Sequence, residues 1–144
     1  MKELTPEEPA KKTASAVFEN DSGIQDHLGF GIEVFGAQGS RITLDVDTVH
    51  LNRQGNVHGG IISLLLDFAM GYGCSGSWSD DALTPAITLS MSTSFIAPVN
   101  SGRLVATGRV IGGGYKTVFA EAELKTENGT LIATSSGTMK RGVR

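Results

Sequence analysis

Asp67 stands in a run that is otherwise almost wholly apolar, "IISLLLDFAMGYG", and a histidine with two glycines, His58, Gly59 and Gly60, opens that run. A carboxylate in an apolar setting must either lose its charge or find partners, and carboxylates so placed concentrate at reactive clefts. If it stays charged, it can take a proton or attack an electrophile. The structural alternative is a hydrogen bond to a hydroxyl on a neighbouring strand, such as one in Thr88–Ser94. Gly59 and Gly60 let a ligand approach the first backbone N–H groups of a helix, which have no partner within it. Those donors and the helix dipole suit an oxyanion or a polarised carbonyl oxygen. The alternative for the glycines is close packing of loop on sheet. His58 fits a loop hydrogen-bonding role as well as a functional one. Asn52, six residues earlier, is by type a turn or cap residue.

Spacing adds a constraint. From His58 to Asp67 is nine residues, roughly 900° of rotation and ~13 Å along an ideal helix axis. The two ends cannot meet at one reacting atom within a single chain. If both act, the site combines the helix start of one subunit with the aspartate of another, and a two-fold dimer carries two such sites. Other chemistries find less support. The three histidines are scattered and the one cysteine has no spaced partner, so no metal constellation is read. "GGGYKT" lacks the Gly-Lys-Ser/Thr of a phosphate loop because Tyr115 intervenes.

The elements that must hold these residues follow from hydrophobic period. The apolar run predicts one central helix that is apolar nearly all round and must be covered on most sides. Strands surround it in the sequence. "HLGFGIEVFGAQGSRITLDVDT" reads as two strands about a turn at Gly36–Gly39, with Ile42, Leu44 and Val46 alternating with polar neighbours. Leu89, Met91 and Phe95 are placed on one face of "TLSMSTSFIAP", with Thr88, Ser90, Ser92 and Ser94 on the other. "RLVATGRV" and "TVFAEAELK" alternate as well, and Asn128–Gly129 is a hairpin turn before "TLIATSSGTMK". "LTPEEPAKKTASAVFEN" predicts a short N-terminal helix that "NDSG" ends. One antiparallel sheet curling its apolar face round the helix accounts for the pattern, an α+β arrangement. A single chain leaves the helix part-covered, which points to a dimer.

Composition sets the remaining bounds. A chain of 144 residues with 40% hydrophobic and 19% charged residues makes one globular domain with a real core. A net charge of −3, with no dense basic block except the short C-terminal "MKRGVR", argues against nucleic acid as partner. One cysteine, a polar acidic N-terminus and no apolar run of spanning length predict a protein of the cytoplasm with no membrane segment.

"LNRQGNVHGGIISLLLDFAMG" resembles the signature of hotdog-fold acyl-CoA thioesterases of the phenylacetate-pathway (PaaI-like) type, which include the human thioesterase superfamily member 2 type. The likeness runs from "HLGFGIEV" through "SFIAPV" to "GYKTVFAEAELKTENGTLIA", so residues 24–144 are expected to form the single hotdog domain and residues 1–23 a helical segment outside it. The resemblance implies a five- or six-stranded antiparallel sheet wrapped round the central helix, dimerised edge to edge and often paired again into tetramers. By position it makes Gly59 the donor to the thioester carbonyl, with Gly60 beside it. His58 and Asn52 hold that region and the water or substrate, and Asp67 of the partner subunit is nucleophile or general base. Thr88 helps place the water, and Gly60 and Ser90 are expected substrate contacts. Gly114 and Lys116 fall where coenzyme A binds, with Lys116 a phosphate contact, although Tyr115 stands where a basic residue is often seen. The implied activity is hydrolysis of an acyl-CoA with no cofactor. The alternatives are a non-catalytic acyl-CoA binder or sensor, and a hydratase or dehydratase, which the His-Gly-Gly start argues against.

Overall fold

The computed structural model describes residues 14, 16–19, 21–77 and 83–142. The long apolar run is one helix, α2 (Gly59–Gly76), and a seven-stranded sheet curls around it. The strands are β1 (Ala16–Phe18), β2 (Gly31–Val34), β3 (Ser40–Asp45), β4 (Ala86–Phe95), β5 (Arg103–Gly113), β6 (Thr117–Thr126) and β7 (Leu131–Arg141). They lie in the order β1-β2-β3-β5-β6-β7-β4, every neighbouring pair antiparallel. This is the hotdog arrangement, with one or two strands more than the resemblance implied.

The predicted alternation locates the core. Ile42 and Leu44 of β3, Leu104 and Ala106 of β5, and Val118, Ala120 and Leu124 of β6 turn inward and are buried. Against them α2 sets Leu65, Leu66, Ala69 and Met70, all essentially inaccessible; each large side chain so buried stabilises the fold by about 1.5–3 kcal/mol. The opposite helix face, with Ile61, Leu64, Phe68 and Tyr72, is only half-buried. One sheet therefore leaves this helix part-covered, as its apolar circumference required. Helix and sheet meet most closely at Gly108, where a Cβ would lie 2.3 Å from the carbonyl carbon of Ala69. Ser40 Oγ beside it donates to the Ala69 carbonyl at 2.6 Å.

The N-terminal expectation is corrected. The predicted helix falls mostly outside the described residues, but its described part, Ala16–Phe18, is a strand paired with Ile32–Val34. Ser22 of "NDSG" begins a helix instead of ending one: its Oγ accepts from Gln25 N–H and caps α1 (Gly23–Leu28). That helix closes at Gly29, whose φ of 79° is left-handed and whose N–H reaches the Gln25 carbonyl.

A second correction concerns β4. Its pairing with β7 shifts register between Thr88 and Ser90, a bulge at Leu89. An extra residue reverses which face the following side chains take. Thr88, paired with buried Met139, therefore faces the helix together with Met91, while Ser90, Ser92 and Ser94 face away. The sequence reading had placed Thr88 with the serines.

Candidate active site

Asp67 sits at mid-helix, half-buried, on the face of α2 that looks along β4. The bulge is what brings Thr88 to it: Thr88 Oγ1 donates to Asp67 Oδ1 at 2.5 Å. Among the described residues nothing donates to Oδ2. The pair opens into a cleft of about 370 Å³ whose walls include Phe18, Phe68, Tyr72, Leu83 and Ala86. Its aromatic side is ordered: Phe68 and Tyr72 stack with ring centroids 6.0 Å apart, and Phe18 tilts onto Tyr72 at 5.3 Å. Burial, and secondarily the charge of Asp21, push the Tyr72 phenol above its ordinary range, so it stays protonated at neutral pH. Cys74, further along the helix, is buried, and that burial pushes its thiol up against the smaller pull of Arg141. It is a core residue, not a nucleophile.

The start of α2 is built for a different task. His58 is the N-cap, and its Nδ1 accepts from Gly60 N–H at 2.8 Å. The His58 carbonyl takes the N–H groups of Ile61 and Ile62. That leaves Gly59 N–H, which has no acceptor among the described residues. A donor at the positive end of an 18-residue helix is suited to an oxyanion. Space restricts only one of the two glycines. A Cβ on Gly60 would lie 2.9 Å from the capping His58 Nδ1, whereas one on Gly59 would touch the Phe95 ring at 3.4 Å, an ordinary contact.

Asn52 holds the loop before this cap. Its Oδ1 accepts from Gln54 and Asn56 N–H at 3.0 and 3.1 Å, and its backbone N–H donates to the Asn56 carbonyl. Within one chain its carbonyl oxygen is committed to the turn, the role its residue type predicted. The sequence reading passed over His50, which is buried and fixes the same region. Its Nε2 lies 2.7 Å from the Leu28 carbonyl, its Nδ1 accepts from Asp47 N–H, and its carbonyl accepts from His58 N–H. Nothing in its sequence surroundings marked it.

Ser90, expected as a substrate contact, is corrected: beyond the register shift it lies away from the cleft, on the outer face of the sheet near Ile111 and Phe119. Gly114 and Lys116 form the exposed turn between β5 and β6, closed by Gly114 N–H on the Thr117 carbonyl. Arg141 ties this turn to the helix. Its guanidinium donates to the carbonyls of Tyr115 and Cys74 and to Ser77 Oγ, and its backbone N–H bonds the Lys116 carbonyl. A cation at the C-terminus of α2 also complements the helix dipole. The structure thus joins Asp67 with Thr88, and Gly59 with Gly60 and His58, as two groups at separate places on one helix. Eight residues, ~12 Å of axis, divide Gly59 from Asp67.

Comparison with known proteins fits this geometry. The profile of the thioesterase superfamily matches residues 54–133, more than half of the chain, from the loop before His58 into β7. The medium/long-chain acyl-CoA thioesterase YigI of Salmonella typhimurium is 30% identical over 62% of this chain, which spans 64% of that relative's length. The conserved protein PA5202 of Pseudomonas aeruginosa superposes with a TM-score of 0.76 at 28% identity, covering 83% of this chain and 94% of that one. The PaaI protein of the E. coli phenylacetic acid degradation operon shares the fold, with a TM-score of 0.74 at 23% identity over 84% of this chain and 85% of that one. On its sequence profile and its hotdog fold of the PaaI type, this chain belongs to the thioesterase superfamily.

Proposed function

We propose that the protein hydrolyses an acyl-CoA thioester at sites assembled from two protomers. The observation that carries this reading is the division of labour along α2. Gly59 N–H, without an acceptor among the described residues, stands at one end, and Asp67, whose Oδ2 has no donor among them, stands ~12 Å away in an apolar cleft. Neither group completes a hydrolytic site alone.

The sheet edge supports the pairing. Among the described strands none covers the outer edge of β4, and Ile87, Leu89, Phe95 and Ile96 on or just beyond it are about half exposed. A long apolar edge is a template for another chain. β4 runs opposite to α2, with Thr88 beside Asp67 and Phe95 beside Gly59. Two β4 strands paired antiparallel about a two-fold axis set the Phe95 end of one against the Ala86–Thr88 end of the other. The partner's Gly59 then approaches Asp67, and the partner helix covers the half-buried face of α2.

In such a site the thioester carbonyl oxygen accepts from the partner's Gly59 N–H, and negative charge building there is held by the helix dipole. Asp67 works through Oδ2 while Thr88 holds Oδ1. As base it takes a proton from water as the water oxygen bonds to the carbonyl carbon; the C–S bond then breaks and the proton passes to the departing sulfur. As nucleophile it displaces the thiolate to leave an acyl-aspartyl anhydride, which water opens. Either route needs a carboxylate, and an amide supplies neither. At the far end Lys116, exposed on its turn, contacts a phosphate of coenzyme A. The identity of YigI as an acyl-CoA thioesterase supports the substrate class. Acyl-CoA turnover followed by thiol release, with wild type against Asp67→Asn, tests the proposal. It fails if no thioester is hydrolysed or if the folded variant keeps the wild-type rate.

A further inference from the structure

Beyond its first turn helix α2 contains three glycines, Gly71, Gly73 and Gly76, all among its last six residues. Each glycine inside a helix is about 1 kcal/mol less favourable than alanine, so each calls for a reason. Two have one in the packing. A Cβ on Gly73 would lie 3.0 Å from the Gly108 carbonyl oxygen, and one on Gly76 would lie 2.4 Å from Val34 Cγ1. Gly71 differs: among the described residues nothing lies within 4 Å of the position its Cβ would take, and its φ is not left-handed. Neither crowding by the described residues nor backbone conformation requires glycine there.

What Gly71 does border is the cleft. It stands one turn beyond Asp67 and four residues before Ser75, and all three line the cleft. A side chain at position 71 would therefore take up cleft space beside Asp67, Tyr72 and Ser75. We infer that Gly71 sets the depth of the acyl pocket: the acyl chain runs from Asp67 along α2 over Gly71, and the missing side chain is the room it occupies. The inference rests on the thioesterase reading and deepens it. It assigns the acyl group an extended hydrocarbon form, lying against the Phe68 and Tyr72 rings and bounded in length by what stands at position 71.

The test is a graded series, Gly71→Ala and Gly71→Leu, assayed with butanoyl-, octanoyl- and dodecanoyl-CoA. Both substitutions raise helix propensity and meet open space, so the folded state should persist; circular dichroism and light scattering check fold and assembly. The readout is the ratio of kcat/KM for dodecanoyl-CoA to that for butanoyl-CoA. It should fall modestly in the alanine variant and by about tenfold or more in the leucine variant, since a few methylenes excluded from an apolar pocket are worth that much. A wild type that hydrolyses the esters while the ratio stays constant through both variants overturns the pocket-depth role and leaves the thioesterase reading standing. A wild type that hydrolyses none overturns both. If Gly71→Ala already dissociates the assembly or lowers every ester alike, Gly71 serves packing between protomers, and the inference is equally overturned.

Discussion

Two inactive variants should restore activity to each other if the site is shared. Asp67→Asn removes the carboxylate and keeps its shape. Gly59→Pro removes the N–H at the helix start that has no acceptor among the described residues, and the local geometry suits proline there. Gly59 is the first residue of α2, and its N–H serves no intrahelical bond. The residue before it, His58, has φ −61° and ψ 137°, the extended backbone that a following proline demands. A Cβ at position 59 makes only an ordinary 3.4 Å contact with Phe95. Loss of an oxyanion donor lowers kcat by about 10²–10³, and loss of a general base by about 10²–10⁴. Each parent should therefore retain on the order of 1% of wild-type activity or less. Random exchange makes about half of all dimers heterodimers, each with one doubly defective site and one intact site, so the mixture should recover to roughly a quarter of wild type. The assay is thiol release from an acyl-CoA after subunit exchange, with exchange followed by tagged subunits and folding of the proline variant by circular dichroism. A mixture that has demonstrably exchanged and yet stays at the level of its parents refutes the argument, because every site would then carry one defect within one chain.

Gly108→Ala should destabilise the fold by at least about 1–3 kcal/mol, because its Cβ would press on the α2 backbone at Ala69 and Met70; chemical denaturation measures it, and an unchanged midpoint would mean the helix lifts off freely. Lys116→Ala should raise KM for coenzyme A esters more than it lowers kcat, since a phosphate contact remote from the thioester is uniform binding. That effect should shrink with a short thioester lacking the nucleotide, and equal losses on both substrates would assign Lys116 to folding instead. The Asp45–Arg103 pair gives a pH prediction of known sign. The Arg103 hydrogen bond, outweighing slight desolvation, holds the Asp45 carboxyl below its ordinary 3.8, so whatever the pair contributes is present above that pH and lost as pH falls through the lowered value. Because both side chains are largely exposed, Asp45→Asn should shift the melting temperature little at pH 7 and not at all well below the folded value.

Much of the architecture could be read from local pattern. The period-two alternation at Ile42–Leu44 and Val118–Leu124 named inward residues correctly because pleating alone sets which way they point. The long apolar run named α2, and its lack of a polar face required more cover than one sheet provides. The separation of Gly59 from Asp67 follows from helical rise alone, so the proposal of a site shared between two chains starts from their spacing.

What the sequence could not decide depends on pairing between distant segments. Thr88 reaches Asp67 only because β4 carries an extra residue at Leu89 against β7, and alternation counted along one strand cannot register a bulge that exists only relative to its partner. Three residues, Ala16–Phe18, are too few to declare themselves as a strand, and they became one because the edge of β2 was open to them. Arg141 looked like part of a basic tail, yet it is buried where the end of α2 and the β5–β6 turn converge and supply the oxygen acceptors its guanidinium needs. Residue type and period determined which groups could do chemistry and along which element they lay. Register, burial and the supply of partners, all properties of contacts between segments far apart in the chain, decided which of those groups meet.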